Sequence, residues 1–92
     1  MKVISAEEVH SSLSYPELVD SLQEAYGGKY SMPPRQVFLL DENTNHDAFA
    51  VLPSWNDQFI GVKAFTYFPD AEAPHKSLYS KILLFNRDHG EP

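Results

Sequence analysis

Apolar residues recur at two different periods along this chain, and the change falls near Met32. Before it the spacing is helical. Ser5-Ala6-Glu7-Glu8 is a capping box, with Ile4 and Val9 placed as its hydrophobic staple. Ser14-Tyr15-Pro16-Glu17 repeats the device, with Leu13 and Leu18 as the staple pair. Tyr15, Leu18, Val19, Leu22, Ala25 and Tyr26 then follow a 3.6-residue period, one stripe predicted to face a core. Gly27-Gly28 ends that helix.

After Met32 the pattern turns to strands. Pro33-Pro34 forbids helix and favours an extended entry. Gln36–Leu40 reads as a strand, Asp41–Asn45 as a polar turn and Ala48–Leu52 as the returning strand. Trp55-Asn56-Asp57-Gln58 leads into a strand over Phe59–Phe68, Pro69–Lys76 is a loop, and Ser77–Phe85 is a fourth strand. The predicted class is α+β: two N-terminal helices packed on a mixed or antiparallel sheet of about four strands. Asn86-Arg87-Asp88-His89-Gly90 has hairpin-turn composition, after which a further strand should pair. Residues 1–92 therefore read as a single partial domain, truncated before its last elements. The unpaired last edge invites strand addition from a second copy, which predicts a homodimer.

Composition narrows the class. A chain of 92 residues is one small domain, and at that size only roughly 60–65% of the unfolded surface is buried. The hydrophobic share of 42% and aromatic share of 13% argue for a folded chain. Seven Lys+Arg against thirteen Asp+Glu, net −6, leave no basic footprint for nucleic acid. The absence of cysteine excludes thiolate catalysis and cysteine-held zinc. The opening apolar run is too short for a signal peptide or a membrane span, so a cytoplasmic location is the default expectation.

Against that background two cations stand out. Lys63 lies within Phe59-Ile60-Gly61-Val62-Lys63-Ala64-Phe65-Thr66-Tyr67-Phe68, a strand apolar on both faces with no evident solvent side. A buried ammonium needs a compensating charge, from the protein or from a ligand carboxylate. The alternative is an edge lysine that guards against aggregation or snorkels to water. Gly61, two positions earlier, lets another group approach that face. Arg35 carries a planar fork suited to gripping a carboxylate, on a backbone stiffened by Pro33-Pro34. Its alternative is a surface arginine paired with an acidic neighbour. His10, His46, His75 and His89 have no metal-ligand spacing, and no G-x-G-x-x-G, P-loop or nucleophile elbow occurs, so no intact nucleotide-binding loop is present.

The ordered set of Met1–Val9, Glu24-Ala25-Tyr26, Met32-Pro33-Pro34-Arg35, Leu52-Pro53-Ser54-Trp55, Gly61–Pro69, Leu83-Leu84-Phe85-Asn86 and Gly90-Glu91-Pro92 resembles the start of the ornithine cyclodeaminase/mu-crystallin family. The resemblance implies a much longer protein, in which a substrate-binding and dimerisation domain accompanies a Rossmann NAD(P) domain. This chain resembles only the first part of the former. It implies that Arg35 and Lys63 bind the substrate carboxylate, with Lys63 also catalytic, and that Ser77 touches the cofactor. The loop Pro69–Lys76 lacks the family's usual Asn and Gly-Leu-Pro-Ser pattern, and Lys81 stands where relatives carry a smaller or apolar residue.

Two readings follow. In the first, the parent protein is an NAD(P)-dependent enzyme of amino-acid metabolism, a lyase or oxidoreductase. It would act on a small amino, imino or keto acid as a cyclodeaminase, alanine dehydrogenase or ketimine reductase. In the second, the chain is a non-catalytic dimerisation or small-anion-binding module. Taken alone the chain is expected to be inactive and to hold neither NAD nor NADP stably, and nothing in it chooses among the acids.

Overall fold

The computed structural model describes every residue except Glu42, Thr44 and Asn45. Two helices, α1 (Ala6–Ser12) and α2 (Tyr15–Gly27), precede strands β1 (Gln36–Leu39), β2 (Ala48–Trp55), β3 (Phe59–Tyr67) and β4 (Leu78–Asn86). The class is α+β, as the change of period predicts. The strands form one antiparallel sheet in the order β1-β2-β3-β4. It contains no parallel pair, so the doubly wound sheet of a Rossmann domain is not among the described residues.

Both helix starts are made as their sequences dictate. Ser5 Oγ accepts from the Glu8 amide at 3.1 Å, and Ser14 Oγ accepts from the Glu17 amide at 3.3 Å. Each bond satisfies one of the amides a helix leaves without an internal partner, typically worth about 1 kcal/mol. The apolar stripe of α2 is a different matter. The periodicity predicts a core contact, yet Tyr15, Val19 and Tyr26 are exposed and only Leu18 on this helix is half-buried. No described element covers the stripe along its length. At its C-terminal end Leu22, Ala25 and Tyr26 line a cavity of about 250 Å³ together with Trp55, Phe59 and Leu84 of the sheet.

The strands follow the sequence reading to within a residue, with one instructive exception. The expected end of β2 at Leu52 is too early, because the strand continues through Pro53 to Trp55. Trp55 exchanges two backbone bonds with Ser31, at 2.8 and 3.0 Å, on the side of β2 away from β3. Pro53, two residues earlier, turns its nitrogen to that same side. There it faces Pro33-Pro34, so the proline forfeits no ladder bond to β3. Between the Ser31–Trp55 bridge and the Gln36–Val51 pair, residues 32–35 oppose residues 52–54. The extra residue interrupts the ladder, and Arg35 sits at the end of this interruption.

The β2–β3 hairpin is closed by Asn56, whose Oδ1 accepts from the Gln58 and Phe59 amides, both at 2.8 Å. The Asp41–Asn45 turn lies partly outside the described residues; within it Asp41 Oδ1 accepts from the Asn43 amide at 3.1 Å. After β4 the chain reverses as its composition predicts. Gly90 adopts φ of 77°, its amide donates to the Asn86 carbonyl at 2.8 Å, and the Asn86 amide donates to the Glu91 carbonyl at 2.7 Å.

Among the described residues the buried hydrophobic ones are Ala48 and Ala50, both on the interior strand β2. Along β4 residues on both faces stay open, with Ile82 65% and Tyr79 51% exposed. Among the described strands β4 pairs with β3 alone, so its other edge carries unpaired backbone groups.

Candidate functional site

Arg35 and Lys63 line the same cavity, a groove of about 520 Å³ on one face of the sheet. Register explains how residues so distant in sequence meet. Lys63 pairs with Leu52 on one side and Ile82 on the other, so these three side chains form a row across the sheet. Gln36 pairs with Val51, which brings Arg35 beside Leu52 at the β1 end of that row. Met32, Pro33 and Pro34 form the wall from which Arg35 departs.

The charge balance of the groove is unlike that of the chain. Acids outnumber bases nearly two to one overall, yet no Asp or Glu lines this cavity. Among the described residues neither Arg35 nor Lys63 makes an ion pair; the one salt bridge found there joins His89 and Glu91 at 3.8 Å. The alternative of a surface arginine neutralised by an acidic neighbour therefore finds no support here. Lys63 does lie near an aromatic ring, its Nζ 5.9 Å from the Phe65 centroid.

Lys63 is exposed, which corrects the expectation of a buried ammonium. The strand is apolar on both faces, as the sequence reads, but the face bearing Lys63 is not covered by any described element. Burial therefore does not force a partner on it. Two cations and no acid line the groove, whose remaining side chains are apolar apart from Ser54.

Ser77 is not brought to this groove. Its carbonyl accepts from the Phe68 amide at 2.7 Å, five positions beyond Lys63 along the chain, roughly 17 Å at strand spacing. A lone serine there, with no glycine-rich loop and no parallel β-α-β unit among the described residues, does not make a dinucleotide cradle. Lys81 pairs with Ala64 and alternation turns it to the opposite face, where it lines a separate cavity with Phe49 and Tyr79. No group of three or more His, Asp or Glu able to hold a metal occurs among the described residues. Nor is any helix there long and apolar enough to cross a membrane.

Sequence reasoning missed Ser54. It pairs with Gly61, lies next to the Leu52–Lys63 pair and contributes the groove's neutral polar side chain. Nothing in the pattern marks it, because a serine after Leu52-Pro53 acquires its neighbours only through the register with β3.

No family model matches the chain, and no solved structure does. Over its whole length it is similar to Delta(1)-pyrroline-2-carboxylate reductase of Colwellia psychrerythraea (strain 34H / ATCC BAA-681), with 53% identity over 96 residues. The chain spans 30% of the length of that curated relative. At the level of the family, this match fits the resemblance to ornithine cyclodeaminase/mu-crystallin proteins that the residues carry.

Proposed function

We propose that this chain is the substrate-carboxylate-binding part of an NAD(P)-dependent imino-acid reductase of the ornithine cyclodeaminase/mu-crystallin family, acting on a small cyclic imino acid. One observation carries the reading: Arg35 and Lys63 line one groove that no Asp or Glu lines. The 53% identity to a pyrroline-carboxylate reductase favours reduction of a C=N bond over the cyclodeaminase and alanine dehydrogenase alternatives.

In this reading Arg35 takes the two carboxylate oxygens with its planar fork. Lys63 adds a point charge from β3, on the far side of β2 in the same sheet, and its ammonium also supplies a proton donor beside the imine nitrogen. Fixing the carboxylate from two sides orients the α-carbon, which is the positional contribution expected of a binding domain. The described residues do not fit a dinucleotide, so these two side chains are assigned binding, orientation and proton donation only.

A second reading concerns association. The open edge of β4, apolar on both faces, favours pairing with another copy of the chain, so the homodimer is part of the proposal. Titration calorimetry with pyrrole-2-carboxylate, a planar ring acid, against pyrrolidine, a ring without the carboxylate, tests the site. Binding of the acid alone is expected. Equal binding of both, or of neither, would remove the carboxylate assignment.

A further inference from the structure

We propose that Gly61 determines which acids the Arg35–Lys63 groove accepts, by leaving its floor open for the carbon body of a ring-bearing acid. The inference rests on the carboxylate reading above.

Glycine within a strand costs backbone entropy and forgoes packing, so its position inside β3 calls for a reason. The usual ones do not apply. Gly61 does not adopt a left-handed φ, so its backbone is open to any residue. It marks no bulge, because its pairs with Ser54 and Leu84 continue the register on both sides without a break. Packing does not exclude a side chain either. A Cβ at this position would lie 3.4 Å from Leu84 Cδ2, 3.8 Å from Ser54 Oγ and 3.9 Å from the Leu83 carbonyl oxygen, all ordinary contacts.

What a side chain would fill is ligand space. Gly61 lines the groove that holds both cations, and with Met32, Ser54 and Leu84 it also lines the cavity beneath the last turn of α2. The two cavities adjoin across the Ser54–Gly61 pair. That pair lies two residues along the strands from the Leu52–Lys63 pair, about 7 Å. The groove runs in this direction, since Ser54 and Leu84 line it and Phe65, on the other side of Lys63, does not. An acid anchored by its carboxylate on Arg35 and Lys63 therefore lays its body over Gly61, towards the Ser54 hydroxyl. In that direction a five- or six-membered ring reaches further towards Gly61 than acetate or pyruvate does.

The test is calorimetric titration of the full chain and of Gly61→Ala and Gly61→Leu with acetate, pyruvate, L-proline and pyrrole-2-carboxylate, alongside thermal melts. Gly61→Ala is expected to weaken the two ring acids by about tenfold and to leave acetate and pyruvate within about twofold, with Gly61→Leu stronger in the same sense. The melting temperature of Gly61→Ala is expected to equal or exceed that of the parent, since alanine restricts the unfolded chain. Equal weakening of all four acids, no weakening, or a lowered melting temperature in Gly61→Ala would assign the glycine to packing and overturn the proposal. Lys63→Met separates this from a failure of the underlying reading. Ring-acid binding that ignores Lys63→Met means the acid sits elsewhere, and absence of any binding by the parent chain removes the carboxylate site and this inference with it.

Discussion

Replacing Lys63 by Met separates a ligand-binding cation from a structural one, because the structure assigns these roles different magnitudes. Methionine keeps the unbranched stem and removes the ammonium. Within the described residues that ammonium has no ion pair, is exposed, and lies 5.9 Å from the Phe65 ring centroid. An exposed cation–π contact contributes about 0.5–1 kcal/mol. For a domain of this size 1 kcal/mol corresponds to about 4–8 °C in melting temperature, so Lys63→Met lowers it by no more than that. Binding loses a hydrogen bond to a charged group, about 1.5–3 kcal/mol. At about 1.4 kcal/mol per factor of ten, the Kd for a ring carboxylate rises roughly 10- to 150-fold, and the open groove places the effect near the lower figure. Calorimetric titration with pyrrole-2-carboxylate reads the first quantity and differential scanning calorimetry the second. A Kd unchanged within twofold, or a fall in melting temperature well beyond 8 °C, would refute the argument and make Lys63 a residue of the fold.

Three further outcomes test other parts of the account. Ser14→Ala removes the acceptor of the Glu17 amide and is expected to cost about 1 kcal/mol, seen as lower helical ellipticity and an earlier thermal transition; no change would mean that water caps α2 equally well. Ile82→Lys with Leu84→Lys places two charges on the open strand β4, where these residues are 65% and 56% exposed, and is expected to shift the chain to monomer in sedimentation velocity. An unaltered sedimentation profile would place the interface elsewhere or show that there is none. Gly90→Val forces a β-branched residue into φ of 77° and is expected to destabilise the last turn by about 1–3 kcal/mol in urea unfolding, with an unchanged midpoint showing that the turn adds nothing to stability.

Local signals were the most legible. The two capping serines and the reversal at Gly90 depend on residues within a few positions of each other, and each is built as its sequence implies. The cations Arg35 and Lys63 were legible by contrast with their apolar surroundings, and the register then places them in one groove. What the pattern could not give was coverage. It marks Lys63 and the stripe of α2 as apolar-side positions, but whether a face is covered depends on which elements lie against it, and here both stay open. The expected end of β2 at Leu52, just before Pro53, falls short of Trp55. A proline argues against a strand only where its missing N–H faces a partner, and at Pro53 that side meets the donor-poor Pro33-Pro34 segment. Ser54 and the open floor at Gly61 acquire their meaning only from the β2–β3 register.

The central claim is that Arg35 and Lys63 hold one carboxylate between them. A crystal structure of the chain with pyrrole-2-carboxylate tests this most directly. The account predicts the carboxylate within about 3 Å of both the Arg35 guanidinium and Lys63 Nζ, with the ring over Gly61. A carboxylate bound to only one of the two, or seated outside the groove, would contradict it.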